Sequence, residues 1–350
     1  MRALPGGWHV RRLGRALGRA LLRRSHHGIV LLYHRVAGPR RDPLALDVRP
    51  AHFDAQLAVL ARTAAPLALD EFETRRRAGT LPPRAVAVTC DDGYADSLLT
   101  AAPILARHGV PATIFVTAGM VGSDREFWWD LVERIAFSPH ALGGGVPGLA
   151  MPWGAADGAP PAAGTVAGTA PDRWSVLAPD DPTPRHRLFR ALHAALYAAA
   201  PASRDASLDE WRAWARVSGP ARESHRALTL RELETLATSP GITIGAHTMT
   251  HPMLSALPPA EQRREVAGSG VWLAHALGRP VDAFAYPFGT RAEVSASTIR
   301  AVRQGGFRYA MANEPRAAWR WSSRWRLPRF VVRDWDAETF ARHLEEWFAQ

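Results

Sequence analysis

Apolar residues in this chain follow two spacings. Short, nearly unbroken runs occur at Gly28-Ile29-Val30-Leu31-Leu32-Tyr33, Ala85-Val86-Ala87-Val88, Ala112-Thr113-Ile114-Phe115-Val116-Thr117 and Ile242-Thr243-Ile244. Each reads as a short buried strand. Phe284-Ala285-Tyr286, Arg308-Tyr309-Ala310-Met311 and Phe330-Val331-Val332 supply further strands. Between the runs, helices are predicted over about 51–62, 95–108, 259–277, 294–304 and 337–348. Gly109 closes the second of these as a C-terminal glycine does. Thr229-Leu230-Arg231-Glu232 is a capping-box signature that opens another. Strand and helix alternating at this spacing predict an α/β fold, either a parallel sheet or a βα barrel.

The alternation breaks over about 138–225. Gly143-Gly144-Gly145 and Gly158-Ala159-Pro160-Pro161 punctuate this region, and only Arg185–Ala199, with Leu188, Leu192 and Leu196, keeps helical spacing. A structureless loop of this length is improbable inside a compact domain. The region reads as an inserted helical subdomain or lid. At the other end, Val10, Leu13, Leu17 and Leu21 lie on one face of a helix over 8–24, and Arg12, Arg15, Arg19 and Arg23 on another. Such a helix suits an anionic membrane surface; a flexible basic arm and a helix packed on the barrel are the plainer alternatives. The organisation predicted is a basic segment at 1–27 and a catalytic domain at 28–350, interrupted at about 138–225.

Charge adds little to this picture. The formal net charge is +10 over 350 residues. Seven of those positive charges are the Arg residues of 1–24, leaving an ordinary +3, and no nucleic-acid motif accompanies them. The single cysteine, Cys90, excludes an internal disulfide. No cleavable signal peptide and no apolar stretch of about 20 residues is evident. The expected location is cytoplasmic or peripheral on the inner face of the membrane.

The candidate chemistry sits where two of the apolar runs end. Thr89-Cys90-Asp91-Asp92-Gly93 places adjacent carboxylates after one, and His247-Thr248-Met249-Thr250-His251-Pro252 places two imidazoles four residues apart after another. One Asp and two His can hold a divalent metal with positions left open for water and substrate. The second Asp is then free to act as a base, which is the hardware of metal-assisted hydrolysis. With 14 histidines in the chain, a chance pair is the competing reading.

These motifs resemble those of the polysaccharide deacetylases of carbohydrate esterase family 4, the NodB-homology family. Its first motif, T-F-D-D-G, is met by Thr89–Gly93 with Cys90 in place of Phe. Its second, H-[ST]-x-x-H-P, is met in full by His247–Pro252, and a third, centred on a Tyr-Pro pair, looks like Phe284-Ala285-Tyr286-Pro287-Phe288-Gly289. The resemblance runs from about Gly28 to about Leu344. It implies a distorted (β/α)7 barrel with the site at the C-terminal ends of the strands. It further implies that Asp92, His247 and His251 bind one divalent ion, zinc by preference, with cobalt, nickel or iron fitting the same ligands.

The resemblance makes Asp91 the general base; a helix cap or brace is the plainer role. It gives Tyr286 a place in the oxyanion hole, largely through its backbone N–H. Two departures stand out. The Arg that often precedes the third motif is missing, and Arg329 is a candidate replacement. The C-terminal L-x-H-like motif that supplies the general acid is also missing; the only His after Val332 is His343, in a predicted surface helix. Some poly-N-acetylglucosamine deacetylases look circularly permuted, with this His supplied by an N-terminal strand ending in Tyr-His. Tyr33-His34 fits that arrangement, making His34 the candidate acid; a packing His at a barrel rim is the alternative. Cys90 reads as a small buried apolar residue, and Trp128, Trp129 and Trp335 are candidate sugar-stacking walls.

The function expected is removal of N-acetyl groups from an acetylated amino-sugar polysaccharide or glycan precursor. The rivals are an O-acetyl (xylan-type) esterase, a related non-peptide C–N hydrolase, and a catalytically silent glycan-binding module.

Overall fold

The structure is a computed structural model that describes residues 27–140, 142, 145–149 and 173–350. The predicted helix at 8–24 and the glycine- and proline-rich tracts at 143–144 and 158–161 lie outside the described residues.

Eight strands run in chain order: β1 Gly28–Tyr33, β2 Ala65–Pro66, β3 Ala85–Cys90, β4 Ala112–Val116, β5 Ile242–Ala246, β6 Ala283–Ala285, β7 Tyr309–Met311 and β8 Phe330–Val331. Seven form one path, β7-β6-β5-β4-β3-β1-β8, with β2 joined to β3. Every strand pairing is parallel. The sheet curls, and the segment before β8 bridges its two ends. Leu327 donates its N–H to Ala310 O and accepts from Ala312 N–H, while Val332 N–H donates to Leu32 O. The result is the curled, barrel-like α/β sheet that the motif resemblance implies.

Alternation along the strands sorts side chains to two faces. Val30, Ala85, Ala87, Phe115, Ala283, Ala285, Tyr309 and Met311 pack together inside the curl. Ile29, Leu31, Tyr33, Val86, Val88, Cys90, Ile114, Val116, Phe284 and Tyr286 face outward into the layer beneath the helices. The interior is narrow, which explains Gly245 on β5. A Cβ there would lie 2.4 Å from the Phe115 ring.

The helices are α1 Pro50–Thr63, α2 Leu69–Ala78, α3 Ala102–His108, α4 Trp128–Ala136, α5 Pro184–Leu196, α6 Pro201–Trp214, α7 Leu230–Ala237, α8 Pro259–Leu277, α9 Ala296–Gln304 and α10 Ala337–Phe348. The expected cap is present: Thr229 Oγ1 accepts from Glu232 N–H at 3.2 Å and the Glu232 carboxylate accepts from Thr229 N–H at 2.8 Å. A π-helical turn at Ser97–Ala101 precedes α3, so the predicted helix over 95–108 starts later and wider than expected. Helices α2, α4 and α6 were not anticipated.

Helices α4, α5 and α6 form a unit of their own. Trp128, Trp129, Val132, Leu188, Phe189, Leu192, Leu208 and Trp211 belong to an apolar cluster separate from those of the sheet. Ion pairs from half-buried Arg222 tie this unit down, to Glu126 at 3.0 Å and to Glu133 at 2.5 Å.

Candidate active site

The C-terminal ends of β1, β3 and β5 deliver the candidate residues to one place. Tyr33 pairs with Cys90 across β1 and β3, so His34 and Asp91 leave the sheet side by side. His247 follows β5 directly, its N–H bonded to Val116 O at 2.9 Å. His34, Asp91, Asp92, His247 and His251 all line one pocket of about 280 Å³.

Asp92, His247 and His251 each offer a ligand atom, and these atoms lie within 4.8 Å of one another. Asp92 Oδ1 is 3.6 Å from His247 Nε2 and 3.4 Å from His251 Nε2. His247 Nδ1 lies 2.8 Å from Ala285 O. That carbonyl can only accept, so it fixes the proton on Nδ1 and leaves the Nε2 lone pair facing Asp92. Burial lowers the pKa of His247 to about 4, against the pull of Asp91. Burial, with Arg204 nearby, lowers that of His251 to about 3. Both rings are therefore neutral at pH 7, the form that ligates metal.

Asp92 is 2 % exposed, and neither carboxylate oxygen has a hydrogen-bond partner. Burial pushes its pKa up, only partly offset by His34 and His247. A buried carboxylate without a donor is costly, and a cation between it and the two imidazoles satisfies all three groups. The donor set fits a divalent ion.

Asp91 is bound differently. Arg329 donates from Nη1 to Oδ1 and from Nη2 to Oδ2, both at 2.7 Å, with Arg329 fully buried. Burial alone would raise the pKa of Asp91; Arg329, then His247, outweigh it and hold the carboxyl below its usual value. Arg329 is itself held by Thr89 Oγ1 at 3.2 Å and Asn313 Oδ1 at 2.8 Å. The missing brace thus arrives from just before β8, where Arg329 was the candidate. Asp91 caps no helix among the described residues, and Ser97 opens the next helical turn.

His34 is half-buried at the pocket wall. Burial lowers its pKa, while Asp92 and Asp91 oppose the shift. His343 lies elsewhere, 3.2 Å from Glu346 on the surface of α10. Cys90 is buried on the outer face of β3, where burial keeps its thiol protonated.

Tyr286 does not reach the pocket. Its N–H donates to Met311 O at 3.1 Å, and its hydroxyl donates to Trp325 O at 2.9 Å. Strand alternation places it with Phe284 on the outer face, their rings 5.3 Å apart. The geometry therefore corrects the expectation that Tyr286 borders the reacting carbonyl. Phe288, two residues on, lines the pocket instead, with φ 61° and its ring 5.2 Å from that of His251. Phe288 shares the parity of Tyr286, so alternation does not select it; it reaches the pocket because β6 ends at Ala285 and the chain turns there, with Gly289 N–H donating to Pro287 O.

Asp92, Thr248, His251 and Phe288 are four of the seven non-glycine residues with positive φ among the described residues. Such strain concentrates where the surroundings over-determine the backbone. The outer pocket wall comes from Leu44, Leu46, Trp128, Trp129, His193 and Tyr197, so α4 and α5 face the site. Of the three candidate stacking tryptophans, Trp128 and Trp129 line it; Trp335 packs on His343, ring centroids 4.2 Å apart, beside a neighbouring groove.

Comparisons with known proteins agree with this architecture. The family model described as polysaccharide deacetylase matches residues 78–144 and 217–310. A search of curated protein sequences finds no match. Among solved structures, the deacetylase PplD of Streptococcus pyogenes, in complex with acetate, is 17% identical, with a TM-score of 0.56, over 91% of this chain and 99% of that one. IcaB from Ammonifex degensii is 18% identical, with a TM-score of 0.54, over 93% and 97%. The de-N-acetylase of Aggregatibacter actinomycetemcomitans is 13% identical, with a TM-score of 0.54, over 91% and 100%. At these identities the structural neighbours carry the fold. No helix among the described residues is long and apolar enough to cross a membrane. The polysaccharide deacetylase model matches on both sides of the α5–α6 region, and Asp91, Asp92, His247 and His251 of the first two motifs gather at one pocket; the chain is similar to the polysaccharide deacetylases, and this supports a glycan deacetylase.

Proposed function

We propose that the protein hydrolyses N-acetyl groups on an amino-sugar glycan, with one divalent metal ion held by Asp92, His247 and His251. The observation that carries this reading is the Asp92 carboxylate, buried and without a donor, facing two imidazoles that present Nε2. A zinc ion there (cobalt, nickel or iron suit the same donors) would polarise the acetamido carbonyl and acidify an attacking water.

The chain's own groups divide the remaining work. Asp91, ionised and oriented by Arg329, accepts the proton of the attacking water. His34 stands beside it at the rim and protonates the leaving amine. An amine is a poor leaving group, so a positioned acid favours an amide over an ester substrate. The similarity to a de-N-acetylase supports the same choice. The carbonyl oxygen becomes anionic as water adds and needs a backbone donor. Pro287 has no N–H and that of Tyr286 is taken, which leaves Phe288 N–H, for which no acceptor occurs among the described residues. Trp128, Trp129 and Tyr197 offer aromatic faces to the sugar ring. The test is acetate release from acetylated amino-sugar polymers by metal-stripped and metal-restored protein.

A further inference from the structure

The loop between the two candidate ligand histidines is bonded on every side, and one of its supports comes from outside the sheet and its helices. Ala118 N–H donates to Thr248 O at 3.0 Å and Gly119 N–H to Met249 O at 2.9 Å. Gly119 is needed for this approach, because a Cβ there would lie 2.6 Å from Met249 O. Glu265 of α8 accepts the N–H groups of Met249 and Thr250 at 2.9 Å and the Thr250 hydroxyl at 2.7 Å. Thr248 Oγ1 accepts from His251 N–H at 3.0 Å.

Two carbonyls of the loop remain, and one side chain takes both. Arg204 of α6 donates from Nη2 to Thr250 O at 2.9 Å and from Nη1 to His251 O at 3.2 Å. Arg204 is 5 % exposed, and its helix is anchored in the separate apolar cluster through Leu208 and Trp211. The loop it grips is strained, with φ 66° at Thr248 and 55° at His251. A residue with φ in that region holds its place only while its neighbours fix it.

We propose that Arg204 is a positioning residue for the metal site: through it, the α4–α6 unit sets the backbone, and hence the ring, of His251. The unit is then part of the metal centre as well as a wall of the pocket. This inference rests on the reading of Asp92, His247 and His251 as metal ligands. The charge and planar fork of Arg204 matter, since one guanidinium spans two consecutive carbonyls.

The test measures zinc affinity of the full chain by competition with a chelator, alongside the thermal midpoint of the metal-free protein. Arg204→Met keeps the apolar stem and should weaken zinc binding by about 10- to 100-fold, the scale for groups that orient a metal ligand. Arg204→Lys should recover part of the loss, because an ammonium reaches one carbonyl. A merely structural role would lower the thermal midpoint and leave zinc affinity unchanged. The second arm needs no variant: zinc should increase amide hydrogen-exchange protection across 201–214 of the parent protein. This arm decides if Arg204→Met fails to fold. Unchanged zinc affinity in a folded Arg204→Met, or zinc-independent exchange across 201–214, overturns the inference. A parent protein that takes up no zinc defeats the metal reading itself, a distinguishable result.

Discussion

Arg329 and Asp91 are 238 residues apart in sequence, yet the guanidinium of one holds both carboxylate oxygens of the other at 2.7 Å, with neither exposed. Removing one partner of such a pair leaves a buried charge uncompensated, which costs about 3–5 kcal/mol. The sign of the pH dependence follows from Asp91. Its folded-state pKa is lowered, so the pair's stabilisation is present above the unfolded value of about 3.9 and is lost as pH falls through the folded value. In Arg329→Met, burial acts on Asp91 unopposed by the guanidinium, so ionising it costs stability as pH rises. Urea unfolding of the metal-free proteins should show a penalty that grows from pH 4 to pH 7. An equal penalty at both would mean the pair is not the cause.

The two candidate ligand imidazoles make a second pH prediction. Burial lowers His247 to about 4 and His251 to about 3, so protons compete weakly for their Nε2 lone pairs. Ordinary imidazoles lose metal as pH falls through about 6.5. Zinc affinity here should show no inflection at that pH, and its histidine-dependent loss should appear only near pH 4. An inflection near 6.5, measured by chelator competition, contradicts the neutral, preformed pair.

His34→Ala separates amide from ester chemistry. The variant should keep its metal affinity, because His34 is outside the cluster of Asp92, His247 and His251. Amide hydrolysis should fall about 10²-fold or more, the scale of a positioned acid. An aryl acetate, whose leaving group needs little protonation, should lose far less. Equal losses on the two substrates would remove His34 from the mechanism.

Phe288, and not Tyr286, should matter for turnover. Tyr286→Phe removes one hydrogen bond, to Trp325 O, and should cost about 1 kcal/mol of stability with turnover nearly unchanged. Phe288→Gly, which relaxes the positive φ and strips the ring from His251, should reduce turnover at least tenfold. Turnover lost in Tyr286→Phe and kept in Phe288→Gly would reverse this assignment.

The sequence was most legible where chemistry sits on a strand end. The apolar runs before Asp91 and His247 have no competing reading, and the cap at Thr229 is local in origin. Helix α8 matches its expected span, Pro259–Leu277, because a proline opens it and Gly278 ends it. Legibility failed where a pattern is thin or a contact is distant. Helix α6 buries only Arg204, Leu208 and Trp211, too narrow a stripe to stand out in a glycine- and proline-rich region. Helix α2 is mostly charged. Tyr286 was misplaced because its side depends on strand parity, and β6 ends at Ala285. The partners of Arg204 and Glu265 follow from tertiary packing and leave no mark on spacing.

The central claim is that Asp92, His247 and His251 hold a metal that serves N-deacetylation beside Asp91. Acetate release from chitin oligomers and poly-N-acetylglucosamine, with peptidoglycan and acetyl-xylan as comparators, tests it most directly. The account predicts release from an amino-sugar polymer that disappears on metal stripping and returns with zinc or cobalt. It also predicts that Asp91→Asn binds the metal yet releases acetate about 10²-fold more slowly or worse. Undiminished release by the stripped protein, or release confined to acetyl-xylan, would contradict it.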